Sequence, residues 1–123
     1  MKKGLPFLAR MGFALQGLRV AATSEASFRT QLLAAVVAVA VTVWLRPGWL
    51  WAALMAVVIG LVLALELVNT ALEHALDGLH PEQAPFIKVA KDCAAAAVLM
   101  SSLLAVIIFV LMVLDYSGLR QAF

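Results

Sequence analysis

Charge is what this chain has least of. Asp, Glu, Lys and Arg make up 13% of its 123 residues and hydrophobic residues 65%, against roughly 25% charged and 45–50% apolar in soluble domains. A water-soluble reading fits that balance poorly. Cys93 is the single cysteine, so no intrachain disulfide can form and the redox compartment goes unreported. His74 and His80 lack a metal-ligand spacing such as His-Glu-x-x-His and receive no role. No internal repeat, low-complexity tract or second domain is visible, which leaves one domain, 1–123. About thirty mixed residues precede the first apolar block, too many for a secretory signal peptide, so the N-terminus is expected to be retained.

What is present is apolar and collected into blocks at 31–45, 49–65 and 93–114, to be set against the ~20 residues that cross a bilayer. The first block is short, but the Arg46-Pro47-Gly48 turn joins it to the second as an antiparallel hairpin. The reading is an all-α membrane protein with spans at about 28–45, 49–70 and 92–114. Lys2, Lys3, Arg10, Arg19 and Arg29 precede the first span, Arg46 lies in the turn, Lys88 and Lys91 in the next loop, and Arg120 after the third span. The positive-inside rule then places the N-terminus and the second loop in the cytoplasm. The net charge of +2 thus lies mostly beside anionic headgroups, which favours membrane contact over nucleic acid.

Ahead of the first span, about 5–22 reads as an interfacial amphipathic helix, with Phe7, Leu8, Met11, Ala14, Leu15 and Leu18 on one arc. Phe13 falls opposite that arc, either packed on a protein helix or stacked on something in the cytoplasmic cavity. Thr23 or Ser24 is expected to cap the next helix and to place Glu25 in its first turn. Small residues recur four apart in each span: Ala34, Ala38 and Thr42; Ala52, Ala56, Gly60 and Ala64; Ala97, Ser101 and Ala105. Such stripes let helices approach closely in lipid and predict a packed bundle.

The second helix is expected to run past its span through Glu66, Asn69, Thr70, Glu73 and Asp77 until Gly78 ends it. At about 100° per residue these side chains share an arc of about 100°, a polar stripe descending toward the cytoplasm. Carboxylates so close need a divalent cation, basic partners or a proton. Arg19, Arg29, Lys88 and Lys91 are the candidate partners, with Glu25 and Asp92 as further carboxylates. Asp77 reads as a solvated helix end, whereas Glu66, at the edge of a span, points to function. A proton path is the competing class, but it calls for ionisable groups in mid-bilayer, and the middles of these spans hold none.

The run Glu66-Leu-Val-Asn69-Thr-Ala-Leu-Glu73, followed after a short loop by Ala90-Lys91-Asp92, resembles the small integral-membrane diacylglycerol kinases of bacteria. Gly17-Leu18-Arg19 and Ser24-Glu25-Ala26-Ser27-Phe28-Arg29 match the N-terminal signature of the same family, and the resemblance covers nearly the whole chain. It implies a homotrimer in the bacterial inner membrane that uses ATP and Mg2+ to phosphorylate the primary hydroxyl of diacylglycerol. On that resemblance Glu25 and Glu73 hold the metal. Glu73 is also the base, Glu66 and Asn69 orient it and the substrates, and Asp92 supports the catalytic set. Phe13, Arg10, Arg19, Glu25, Glu73, Asp77 and Lys91 face the nucleotide, with Lys91 neutralising phosphate, and Arg29, Glu66 and Ser27 meet the lipid. Gln16 stands where a lysine is frequent, Ala94 and its neighbours where glycine or serine is, and Thr30 and Gln31 replace a more polar or acidic pair. These departures bear on which lipid is accepted, since close relatives phosphorylate undecaprenol on the same framework. The phosphate loops and catalytic motifs of soluble kinases are missing. Phosphoryl transfer nevertheless needs mainly positioning and charge neutralisation, which carboxylates, an amide and a lysine can supply.

Overall fold

The computed structural model describes residues 4–118, so Lys2, Lys3 and Arg120 lie outside the described residues. Four helices follow in order: α1 Phe7–Ser24, α2 Ala26–Leu45, α3 Trp49–Leu79 and α4 Pro85–Tyr116. At about 1.5 Å per residue α2 spans about 30 Å, one bilayer core, whereas α3 and α4 reach about 46–48 Å and must project beyond it. The last three are each long and apolar enough to cross a membrane. The apolar segments 49–70 and 92–114 are therefore parts of longer helices, since α3 continues to Leu79 and α4 starts at Pro85.

The breaks have local causes. Glu25 takes extended angles (φ −114°, ψ 108°) between α1 and α2, which lets the chain change direction there. The expected cap by Thr23 or Ser24 does not form. Thr23 donates back to the Arg19 carbonyl at 2.8 Å and Ser24 to that of Val20 at 2.6 Å, a use of the hydroxyl that competes with capping. Glu25 is itself the N-cap residue, one position before the first turn. Between α2 and α3, Arg46 is left-handed (φ 50°) and Gly48 has φ 110°, a backbone region glycine enters without a Cβ penalty. Pro85 opens α4, where its missing N–H interrupts no helical bond.

Side-chain hydrogen bonds fix the register. Ser27 meets Glu66 across α2 and α3, Trp51 meets Asp115 and Lys91 meets Asp77 across α3 and α4, and Gln31 meets Ser102 across α2 and α4. α3 therefore runs antiparallel to both neighbours. Packing concentrates at the end away from the polar stripe, around Leu45, Met55, Val58 and Met112. α3 buries Met55, Val58, Val62, Glu66 and Thr70, a three-four spacing that is one helix face. The small-residue stripes divide accordingly. Thr42 and Ser101 are buried, and Ala38, Ala97 and Ala105 half-buried, but Ala56, Gly60 and Ala64 on α3 face outward because the bulkier row fills the interior. Of α1 only Ala21 is buried, and Phe7, Leu8, Met11, Leu15 and Leu18 remain exposed.

Candidate active site

Glu66 sits about 26 Å along α3 from Trp49, close to the far edge of a 30 Å core by helix rise, and only 1% of it is exposed. A carboxylate so enclosed requires hydrogen-bond donors. Ser27 supplies one, its hydroxyl donating to Glu66 Oε1 at 2.8 Å. One turn further on, Asn69 Nδ2 donates to Glu73 Oε1 at 3.3 Å. The amide thus orients the carboxylate, while Asn69 Oδ1 is shut away without a partner. A buried acceptor left unmade costs about 1–3 kcal/mol, and a donor carried by a ligand would relieve it. Thr70 is buried on the same face, with His74 Nδ1 2.9 Å from its carbonyl oxygen.

Where α3 leaves the apolar zone, Lys91 of α4 donates to Asp77 at 2.6 Å. Asp77 is exposed, as a helix end should be, yet it is held by Lys91, which the family resemblance assigns to phosphate. A depression of ≈ 600 Å³ between Gln83 and Asp92 is lined by Lys88, Lys91 and Asp92. Ser27 with Glu66, Asn69 with Glu73, and Asp77 with Lys91 are therefore brought together.

Other expected members go elsewhere. Asp92 pairs with Lys88 one turn back on its own helix at 2.6 Å, so its carboxylate is engaged there rather than with the stripe. Arg29 donates to the carbonyl oxygens of Ala22 and Thr23 at 3.2 and 3.1 Å. It thereby ties α2 to the negative end of α1. Arg10, Arg19 and Phe13 are exposed on α1, and Glu25 is half-buried at the α1–α2 break. α1 packs on both α2 and α3, which keeps this surface on the same side as the stripe. Among the described residues no three His, Cys, Asp or Glu side chains gather as a metal cage. Mg2+ does not need one, because it usually takes one or two carboxylates, waters and substrate phosphates. Glu25 and Glu73 fit such a donor set in number and kind.

Sequence reasoning missed the Gln31–Ser102 and Trp51–Asp115 contacts. The signal for Gln31 and Ser102 was a polar side chain in an apolar span, which in lipid seeks a partner on another helix, whereas Trp51 and Asp115 stand at span ends and carried no such signal.

The chain is similar to known proteins over most of its length. The family described as prokaryotic diacylglycerol kinase matches residues 12–113. The diacylglycerol kinase of Escherichia coli K12 is 32% identical over 107 residues, 87% of this chain and 88% of its own. That of Pseudomonas aeruginosa is 38% identical over 86 residues, 70% of each chain. The undecaprenol kinase of Bacillus subtilis is 43% identical over 56 residues, 46% of each. With a family match across most of its length and its acid-and-amide stripe on one helix face, the chain belongs to the prokaryotic diacylglycerol kinase family.

Proposed function

We propose that the protein transfers the γ-phosphoryl group of ATP to the primary hydroxyl of diacylglycerol, giving phosphatidic acid and ADP at the cytoplasmic face of a bacterial inner membrane. The observation that carries this reading is the Glu66–Asn69–Glu73 face of α3, with Glu66 already bound to a serine hydroxyl. A serine side chain is itself a primary alcohol, so the carboxylate is seated to hold an alcohol oxygen. Glu73, steadied by Asn69, is the proposed base. It takes the hydroxyl proton as the lipid oxygen bonds to phosphorus and the bond to the ADP oxygen breaks. Lys91 offsets charge on the phosphates and shifts toward them from Asp77. Arg10, Arg19 and Phe13 of α1 are proposed to close over the nucleotide, and Arg29 and Ser27 to border the lipid headgroup. Glu25 and Glu73 would hold Mg2+, and the chemistry that ion would supply there is neutralisation of phosphate charge. Asp92 acts at one remove, by positioning Lys88 beside the nucleotide depression.

The second reading keeps the chemistry and changes the acceptor to undecaprenol, as the name of the Bacillus subtilis relative suggests. Transfer from radiolabelled ATP in mixed micelles, with each lipid offered separately, decides between them. Labelled phosphatidic acid is the expected product. Glu73→Gln should lower turnover by roughly 10²–10⁴, the range of a general base, in protein that still elutes as the folded oligomer. Undiminished turnover would remove Glu73 from the mechanism.

A further inference from the structure

Gln31 and Ser102 face one another between α2 and α4, with Gln31 Nε2 donating to Ser102 Oγ at 2.9 Å. Both are half-buried. They line a groove of ≈ 520 Å³ whose walls are otherwise almost wholly apolar, including Ala38, Met55, Val62 and Phe109. Leu33, Val37 and Val106 at its margins are more than half exposed, so a hydrocarbon chain can enter sideways from the bilayer.

Register ties this groove to the site. Gln31 lies four residues after Ser27 on α2, one turn or about 6 Å deeper in the membrane and on nearly the same side. Ser27 is the hydroxyl that contacts Glu66. A lipid whose primary hydroxyl takes that place on Glu66 therefore hangs past Gln31 and Ser102 before its tail enters the groove.

The pair has donors to spare. A primary amide carries two N–H groups and a serine hydroxyl one hydrogen. After the mutual bond, one amide N–H and the serine hydrogen remain in an apolar wall, where unpaired polar groups are costly. In a 1,2-diacylglycerol the nearer ester carbonyl oxygen lies five bonds from the primary hydroxyl oxygen, a reach matching one helical turn. Undecaprenol offers only hydrocarbon at that depth. We propose that Gln31 and Ser102 bind an ester carbonyl of the acceptor lipid, seat its acyl chain in the α2–α3–α4 groove, and so select a glycerol ester over a polyprenyl alcohol. A second copy of the chain is the competing occupant. It is disfavoured because the small-residue face of α3, Ala56, Gly60 and Ala64, is turned roughly 115° from the groove side of that helix by helical geometry.

This inference rests on the lipid kinase reading, and the test separates the two. Turnover is measured with 1,2-diacylglycerol, with the matching 1,2-dialkylglycerol ether, which keeps hydroxyl and chains but has no carbonyl, and with undecaprenol. The expected result is that kcat/KM for the ester exceeds that for the ether by roughly three- to tenfold, the worth of one neutral hydrogen bond, mainly through KM. Gln31→Met, similar in length but without donors, should bring that ratio to about one. Ser102→Ala, which preserves packing, should move it the same way by less. Equal rates on ester and ether by the unaltered protein would overturn the proposal. So would variants that slow both lipids alike, or Gln31→Met dissociating the oligomer, which would put a second copy in the groove. Transfer to none of the three lipids would overturn the kinase reading itself.

Discussion

Asn69 shows how function and stability pull apart at a single residue. Its Nδ2 steadies Glu73 while its Oδ1 is buried without a partner, an acceptor that a donor on a ligand would satisfy. Asn69→Leu removes that orphan acceptor and should leave thermal stability in detergent unchanged or raised by about 1 kcal/mol, while phosphoryl transfer collapses. A large fall in melting temperature would show that the amide is structural instead. The acid-and-amide set was legible because positions three, four and seven apart must share a helix face. The partners of those groups were not, since nothing local says that the serine two residues after Glu25 reaches Glu66 across 39 positions. Asp92 is the opposite case. Its bond to Lys88 follows the i, i+4 rule, which competes with a longer reach toward Glu73 and prevails here. Arg29 similarly answers the carbonyls at the end of α1, a demand that exists only once the break at Glu25 is known.

Helices were legible wherever hydropathy alone decides, and less so where turn chemistry does. The Arg46-Pro47-Gly48 turn sits where it was expected, and its left-handed residues explain the reversal. The span expected from about 92 begins inside α4, because Lys88 and Lys91 interrupt the apolar run of 85–91 while Pro85 is a favoured first helical residue. α3 and α4 are tied near both ends, and the two ties differ in worth. Trp51 Nε1 donates to Asp115 at 2.8 Å in a part-buried setting, whereas the Lys91–Asp77 pair is 37% and 65% exposed. A hydrogen bond to a charged group contributes roughly 1.5–3 kcal/mol, and an exposed ion pair about 0–1 kcal/mol. Trp51→Phe should therefore lower stability by about 2 kcal/mol by that rule, with Asp77→Asn costing under about 1 kcal/mol. Asp77→Asn should instead act on KM for ATP, by releasing Lys91. Equal losses of stability, followed by unfolding in detergent, would show that the two ends are held alike.

The described helices enclose little, and that bears on the whole molecule. Few large apolar side chains are buried, Glu73 is only half-buried, and the outward face of α3 carries Ala56, Gly60 and Ala64 four residues apart. In lipid, exposed apolar surface costs nothing by itself, so association must be driven by close packing and polar contacts. A small-residue row on the central helix is suited to that, on a face turned about 120° from the polar stripe. Gly60 gives a direct test. A Cβ built there meets nothing within 4 Å in the single chain, so Gly60→Leu should leave each protomer folded while blocking helix-to-helix approach. The expected outcome is a trimer by crosslinking for the unaltered protein, a shift to smaller species for Gly60→Leu, and loss of phosphoryl transfer in step with that shift. A variant that dissociates yet keeps full turnover would show that one chain completes the site alone. A variant that remains a trimer would place the contact on another face of the bundle, with α3 turned to lipid.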